Sequence, residues 1–164
     1  MNMRENLIKV YTKFASNEEL LRLLYYRPAN NDDNPFSPSK ENVLDKPATE
    51  RWKIIEDVIA KTNNLDGMDE DRKCRILVYL SNRNSDRGNY WVSNQDLVID
   101  VAVHRDFDDK DFRLAWICDK VNEILFNNHV DSMGKLKFSG GNPLNGFPNG
   151  YVGYRLTYSF TNTN

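Results

Sequence analysis

The stretch VHRDFDDKDFRLAWICDKVNEIL, residues 103–125, gathers the side chains best suited to chemistry in this chain. An apolar run ends at His104, and Asp106, Asp108, Asp109 and Asp111 follow. Upstream, Asp96 and Asp100 alternate onto the same strand face as His104. Carboxylates with a histidine can hold Mg²⁺ or Mn²⁺, which activates water and stabilises a leaving oxygen in many nucleases. Nuclease sites of the restriction-enzyme kind also pair an acid with a lysine two residues away on a strand, and this strand has no lysine. A simpler account is available. Alternation puts Asp96, Asp100 and His104 on the wetter face of a sheet. Asp108, Asp109 and Asp111 stand at a helix start, where carboxylates cap free N–H groups and meet the positive end of the helix dipole. The expectation is therefore no enzyme, no metal and no cofactor. A metal-dependent nuclease using Asp96, Asp100 and His104 is the alternative.

The remaining reactive types are sparse. Cys118 falls on a helical core stripe, which suits a small buried hydrophobe better than a nucleophile paired with a histidine. Cys74 and Cys118 form no CxxC, so zinc and a disulfide framework are not expected. The chain contains no GxxxxGK[ST], GxSxG or HExxH pattern.

The elements that position these residues follow from hydrophobic period. Residues 3–26 predict two short helices or one bent one, with Ser16 and Glu19 as a capping box at the restart. Residues 48–61 predict a helix with Trp52, Ile55, Val58 and Ile59 on its apolar face. Strands are expected at 73–80, 90–104, 135–138 and 151–160, and a helix at 109–127. In the second strand Leu97, Ile99, Val101 and Val103 share the core face. In the last, Val152, Tyr154, Leu156, Tyr158 and Phe160 do. The order is α-α-β-β-α-β-β. It predicts an α+β fold with a mostly antiparallel four-stranded sheet, one face packed by helices, in a single domain over 1–164.

The 164 residues include 40% apolar ones, enough for a real core, and the net charge is −2, so no general attraction to nucleic acid is built in. No stretch reaches the roughly 18 apolar residues of a membrane span, and the N-terminus lacks a signal-peptide apolar region, so a cytosolic protein with no membrane partner is expected. Charge is uneven: residues 96–131 carry nine acids and four bases, whereas 132–164 carry Lys135, Lys137, Arg155 and no acid. Such a chain can associate head to tail with its own copies.

Three segments lack period: 27–47, rich in Pro and Asn, then 81–89 and 139–150. Loops held by rigid strands often present binding residues. The expected contacts with neighbouring subunits or partners are Phe36, Val43 and Leu44 in the first, Arg83 and Arg87 in the second, and Leu144 and Phe147 in the third.

The block from CRILVYL through LVIDVAVHRDFDDKDFRLAWICDKVNEIL to GYVGYRLTYSF resembles the tail terminator, or tail-completion, proteins of long-tailed bacteriophages. In that family a helix precedes a β-hairpin, the second strand runs into an Asp-rich turn and a helix, and a final hairpin ends with aromatic alternation. The match covers residues 73–160 well and 3–26 loosely; the loop at 27–47 and the helix at 48–61 depart from it. The resemblance implies a structural virion protein of the neck, assembled in the host cytoplasm as a homohexameric ring. The ring would cap the tail tube protein, end tail assembly and join the head-completion or connector protein. Genomic DNA would pass through it without specific binding. Asp96, Asp100, Asp106, Asp108 and Asp109 are then candidates for an acidic channel surface, since phosphate contacts dominate DNA affinity and like charge prevents sticking. A different head–tail joining or adaptor protein is the other alternative.

Overall fold

In the computed structural model, residues 3–86, 88–126, 128–130 and 133–163 are described. The chain opens with α1 (Met3–Ala15) and α2 (Glu18–Tyr25), which break at Asn17. Asn17, not Ser16, caps α2: its side-chain oxygen accepts from Leu20 N at 2.9 Å. Ser16 instead donates back to the Thr12 carbonyl at the end of α1. A 3-10 turn at Val43–Asp45 leads to α3 (Ala48–Val58). There follow β1 (Ile59–Ala60), β2 (Cys74–Asp86), β3 (Asn89–His104), α4 (Arg105–Asp111), α5 (Arg113–Leu125), β4 (His129–Val130), β5 (Gly134–Lys135), β6 (Lys137–Leu144) and β7 (Tyr151–Thr163).

The fold is α+β, but the sheet is not the expected mostly antiparallel four-stranded one. It is a mixed five-stranded sheet in the order β1-β2-β3-β7-β6, and β4 and β5 form a separate two-stranded ribbon. The difference arises at the end of α3. Val58 and Ile59 are consecutive β-branched residues, and Ile59 leaves the helix with extended backbone (φ −122, ψ 99). Ile59 and Ala60 then pair in parallel with Ile76 and Leu77, and Ile59 is 1% exposed. A two-residue strand has too short a pattern to announce itself in sequence.

One sheet face carries the main core. Ile76, Val78, Leu97, Ile99, Val101, Val103, Leu156, Tyr158 and Phe160 meet Val10 and Phe14 of α1, Leu20, Leu21, Leu23 and Leu24 of α2, and Ile117, Val121 and Leu125 of α5. The expected inward face of β7 is the one that packs on the helices. Trp52, expected on the buried face of α3, is instead 46% exposed, while Ile54, Ile55 and Val58 are buried.

The second sheet face is drier than alternation predicts. Val98, Asp100 and Ala102 are all buried, together with Leu77 on β2. Chain returns over this face. The Phe147 ring occupies the place a side chain would take at Gly153, whose added Cβ would lie 1.9 Å from Phe147 Cε2. The Tyr151 hydroxyl lies 2.7 Å from the Met68 and Asp71 carbonyl oxygens, anchoring the connector between β1 and β2.

Two expected loops are largely strand. Residues 81–86 continue β2, and 139–144 belong to β6. Between Leu80 and Arg83 the register slips, and the Gln95 amide fills the slip by donating to the Ser81 and Asn82 carbonyls.

Candidate functional site

The aspartate-rich turn is a corner between two helices. His104 caps α4, its Nδ1 accepting from Asp106 N at 3.1 Å. Asp108 Oδ1 accepts from Leu114 N at 2.8 Å and so caps α5. Asp106 is held between two guanidinium groups, Arg72 at 2.6 Å and Arg27 at 2.7 Å. The Arg72 hydrogen bond leads in holding its carboxyl below the ordinary value. Asp111 is paired with Arg113 at 2.6 Å. Among the candidates of this turn, Asp109 is exposed.

Arg113 is a buried fastening residue that no sequence pattern marks. Its side chain is 0% exposed. It holds Asp111 and donates to the carbonyls of Leu23 (2.6 Å) and Tyr26 (2.8 Å). Those carbonyls end α2, so one guanidinium fastens that helix end to the corner. The corner itself turns through Phe112, which is left-handed (φ 53, ψ 44) and 79% exposed. A left-handed non-glycine residue costs roughly 1–2 kcal/mol.

Asp96, Asp100 and His104 do not converge as a metal site. Asp100 is 2% exposed and occupied: Arg155 Nε and Nη2 donate to its two oxygens at 2.7 and 2.8 Å, and Tyr79 donates at 2.5 Å. Burial, then the bond to Asp100, pushes the Tyr79 phenol up to about 12. Asp96 lies eight residues along the strand from His104, roughly 26 Å at strand rise. Among the described residues no group of three or more His, Cys, Asp or Glu is placed to hold a metal ion. The channel-facing set is likewise divided. Asp100 faces the buried network and presents no charge to a channel, Asp106 is answered by two arginines, and Asp96 stands far from the corner. Burial pushes the Cys118 thiol up to about 12 and raises that of Cys74 further, so neither is a ready thiolate.

The contact candidates separate in the same way. Val43 is fully buried in this chain's own core, with Leu44 and Phe36 packed against it. Phe36 meets Trp116 edge-on at 5.3 Å. The loop is drawn inward because the Arg22 guanidinium donates to the carbonyls of Pro35 and Lys40. Leu144 is half-buried, paired opposite Gly153 in β6–β7, and Phe147 covers Gly153. Arg83 is exposed, with its Nε 3.1 Å from Ser93 Oγ. Arg87 lies outside the described residues.

Among the described residues, two open surfaces lie near the sheet's far strands. The β2–β3 hairpin, flanked by the end of β7, runs past the helical cover: Ser81–Ser85 are exposed and Trp91 is 74% exposed. Between α5 and the β6–β7 edge lies an open groove of about 400 Å³, lined by Leu114, Cys118, Phe138, Tyr154 and Leu156, with Asp119 on its wall.

A family profile, YomW, matches residues 17–160. The chain is also similar to the SPbeta prophage-derived uncharacterized protein YomW of Bacillus subtilis (strain 168). The two are 28% identical over 169 residues, spanning 95% of each chain.

Proposed function

The chain belongs to the YomW family and is phage-associated, and from that membership we propose that it is a structural protein of the virion neck. In this reading it forms a homohexameric ring on the tail tube, ends tail growth and presents a surface to the head connector. It has no catalytic role. DNA passes through the ring without specific binding.

The observation that carries the reading is the projecting hairpin. Ser81–Ser85 stand exposed on this strand pair, and Trp91 beside them is 74% exposed. Tryptophan is among the side chains most often found as binding anchors. The sheet also leaves open edges, and open edges favour association with other chains unless they are blunted. Asp100, Asp106, Asp108 and Asp111 support the reading by serving the fold, as a cap or as ion-pair partners.

The test is assembly. The purified chain should sediment as a ring-sized particle with a central hole in electron micrographs. A phage lacking the gene should accumulate full heads and separate tails. Infectious particles at normal yield from the deletion would overturn the proposal, and so would divalent-metal-dependent nuclease turnover by the purified wild-type chain.

A further inference from the structure

We propose that the sheet edge left open where β1 stops takes an added strand from another protein, one that carries acidic side chains beside an apolar one. The proposal stands apart from the ring, because the occupant is not a second copy of this chain.

The chain itself shows what the edge accepts. Ile59 and Ala60 run parallel to Ile76 and Leu77, and Ile59 belongs to the core. At Lys61 the backbone bends away. β2 continues to Asp86, and among the described residues no strand pairs with it on that side beyond Leu77. An extended segment that follows the line of β1 finds main-chain donors and acceptors there. The register slip between Leu80 and Arg83 confines regular pairing to the stretch beside Val78 and Leu80. Few main-chain bonds form over so short a run, so side chains must select the occupant.

A hollow of about 500 Å³ lies beside this stretch, between α1 and β2. Leu7, Ile8, Tyr11 and Val78 supply its apolar lining. On α1, Val10 and Phe14 fill the core, whereas Ile8 is 44% exposed and Leu7 and Tyr11 are half-buried. The Tyr11 hydroxyl is buried without a hydrogen-bond partner among the described residues, a donor left over for an incoming acceptor.

The charges around the hollow have one sign. Its remaining lining residues are Arg4 and Lys61, both exposed, and among the described residues no acid lines it. Lys61 Nζ stands 4.7 Å from the centre of the Tyr11 ring. Of the acids nearby, Glu5 pairs with Lys9 at 3.2 Å, and Glu56 lines the adjoining polar hollow that holds Arg75. A carboxylate on the added strand therefore meets two cations. The chain's own open edges bring none. Residues 81–85 of β2 carry Arg83 and no acid, and β6 carries Lys137 and no acid. Pro143 also removes a main-chain donor from β6. A second copy pairing here would set cation against cation.

The experiment uses the full chain and a capped, fluorescent hexapeptide, Glu-Thr-Ile-Thr-Glu-Thr, whose acids and isoleucine share one strand face. Its controls replace both glutamates by lysine, or carry N-methyl groups on alternate residues in either of the two phases. Binding is followed by anisotropy and by amide hydrogen exchange. The acidic peptide should bind saturably below about 1 mM and at least about tenfold more tightly than the lysine version. Arg4→Glu with Lys61→Glu should invert that preference; both positions are exposed, and a matching thermal melt confirms the fold. The N-methyl version whose methyl groups face β2 should lose binding while the other keeps it, and exchange should slow at residues 78–81. Absence of saturable binding, equal binding of the two N-methyl versions, or protection elsewhere overturns the proposal. Slowing at 78–81 that rises with the chain's own concentration and without peptide overturns it too, by giving the edge to a second copy.

Discussion

Asp100 and Arg155 illustrate how burial assigns a residue its task. Taking one partner from a buried pair strands the other charge, whereas the pair itself is close to neutral in net stability. Arg155 retains 35% side-chain exposure and Asp100 only 3%. Arg155→Ala should therefore destabilise by roughly 3 kcal/mol, the low end for such a break because water reaches the arginine side. Urea unfolding reads this directly; a change under about 0.5 kcal/mol, the range of an ordinary surface substitution, would mean that the network is cosmetic. Asp106 behaves differently because its clamp is at the surface. Its depressed carboxyl contributes stability that is present above its unfolded value, near 3.8, and is lost as pH falls through the lower folded value. The clamp should thus hold throughout the neutral and mildly acidic range. Arg72→Ala should move the Asp106 titration, followed by carbon NMR, upward toward the ordinary value. An unmoved titration would show that Arg72 does not hold it.

At the scale of elements, β7 and α5 form the joint that gives the sheet its sidedness. Leu156 is 5% exposed and faces the helix layer. Truncating it to alanine should cost about 2–5 kcal/mol, with the upper part of that range expected if the site cannot collapse. A cost near zero would mean that the face is not packed. The segment 139–150 illustrates the opposite lesson. Its glycines and prolines mark it in sequence as a loop without period that presents Leu144 and Phe147 to partners. In the fold, residues up to Leu144 pair with β7, and Phe147 fills the space over Gly153. Deleting 141–148 should therefore lower the melting temperature of the monomer itself. An unchanged melt would restore the reading of this segment as a detachable contact loop.

For the molecule as a whole, the exposed aromatic residues matter more than the acids. Trp91, near the hairpin tip, is 74% exposed. Trp91→Ser should leave folding stability within about 0.5 kcal/mol, as surface changes usually do. It should nevertheless impair assembly or head–tail joining in particles. A variant that assembles and joins normally would remove the arm from the contact surface and return attention to the groove and to Phe112.

The sequence by itself determined what depends on neighbours along the chain. The alternation of Val152 through Phe160 and of Leu97 through Val103 assigns core faces correctly, because successive strand side chains must point to opposite sides. The Asp-rich turn is legible as a helix start because free N–H groups need acceptors, although sequence ran α4 and α5 together and missed the left-handed Phe112 between them. Tertiary structure decided whatever depends on a partner far away in sequence. Ile59 and Ala60 become a strand only because Ile76 and Leu77 lie alongside, which turns four strands into a mixed five. Phe36, Val43 and Leu44 become core because the Arg22 guanidinium ties their loop down, and Arg113 becomes a buried fastener because the end of α2 arrives with unpaired carbonyls. Asp100 looked solvated because alternation assigns a face but not what covers it; the answer lay in Arg155 and Tyr79, on strands that only the folded sheet brings beside it.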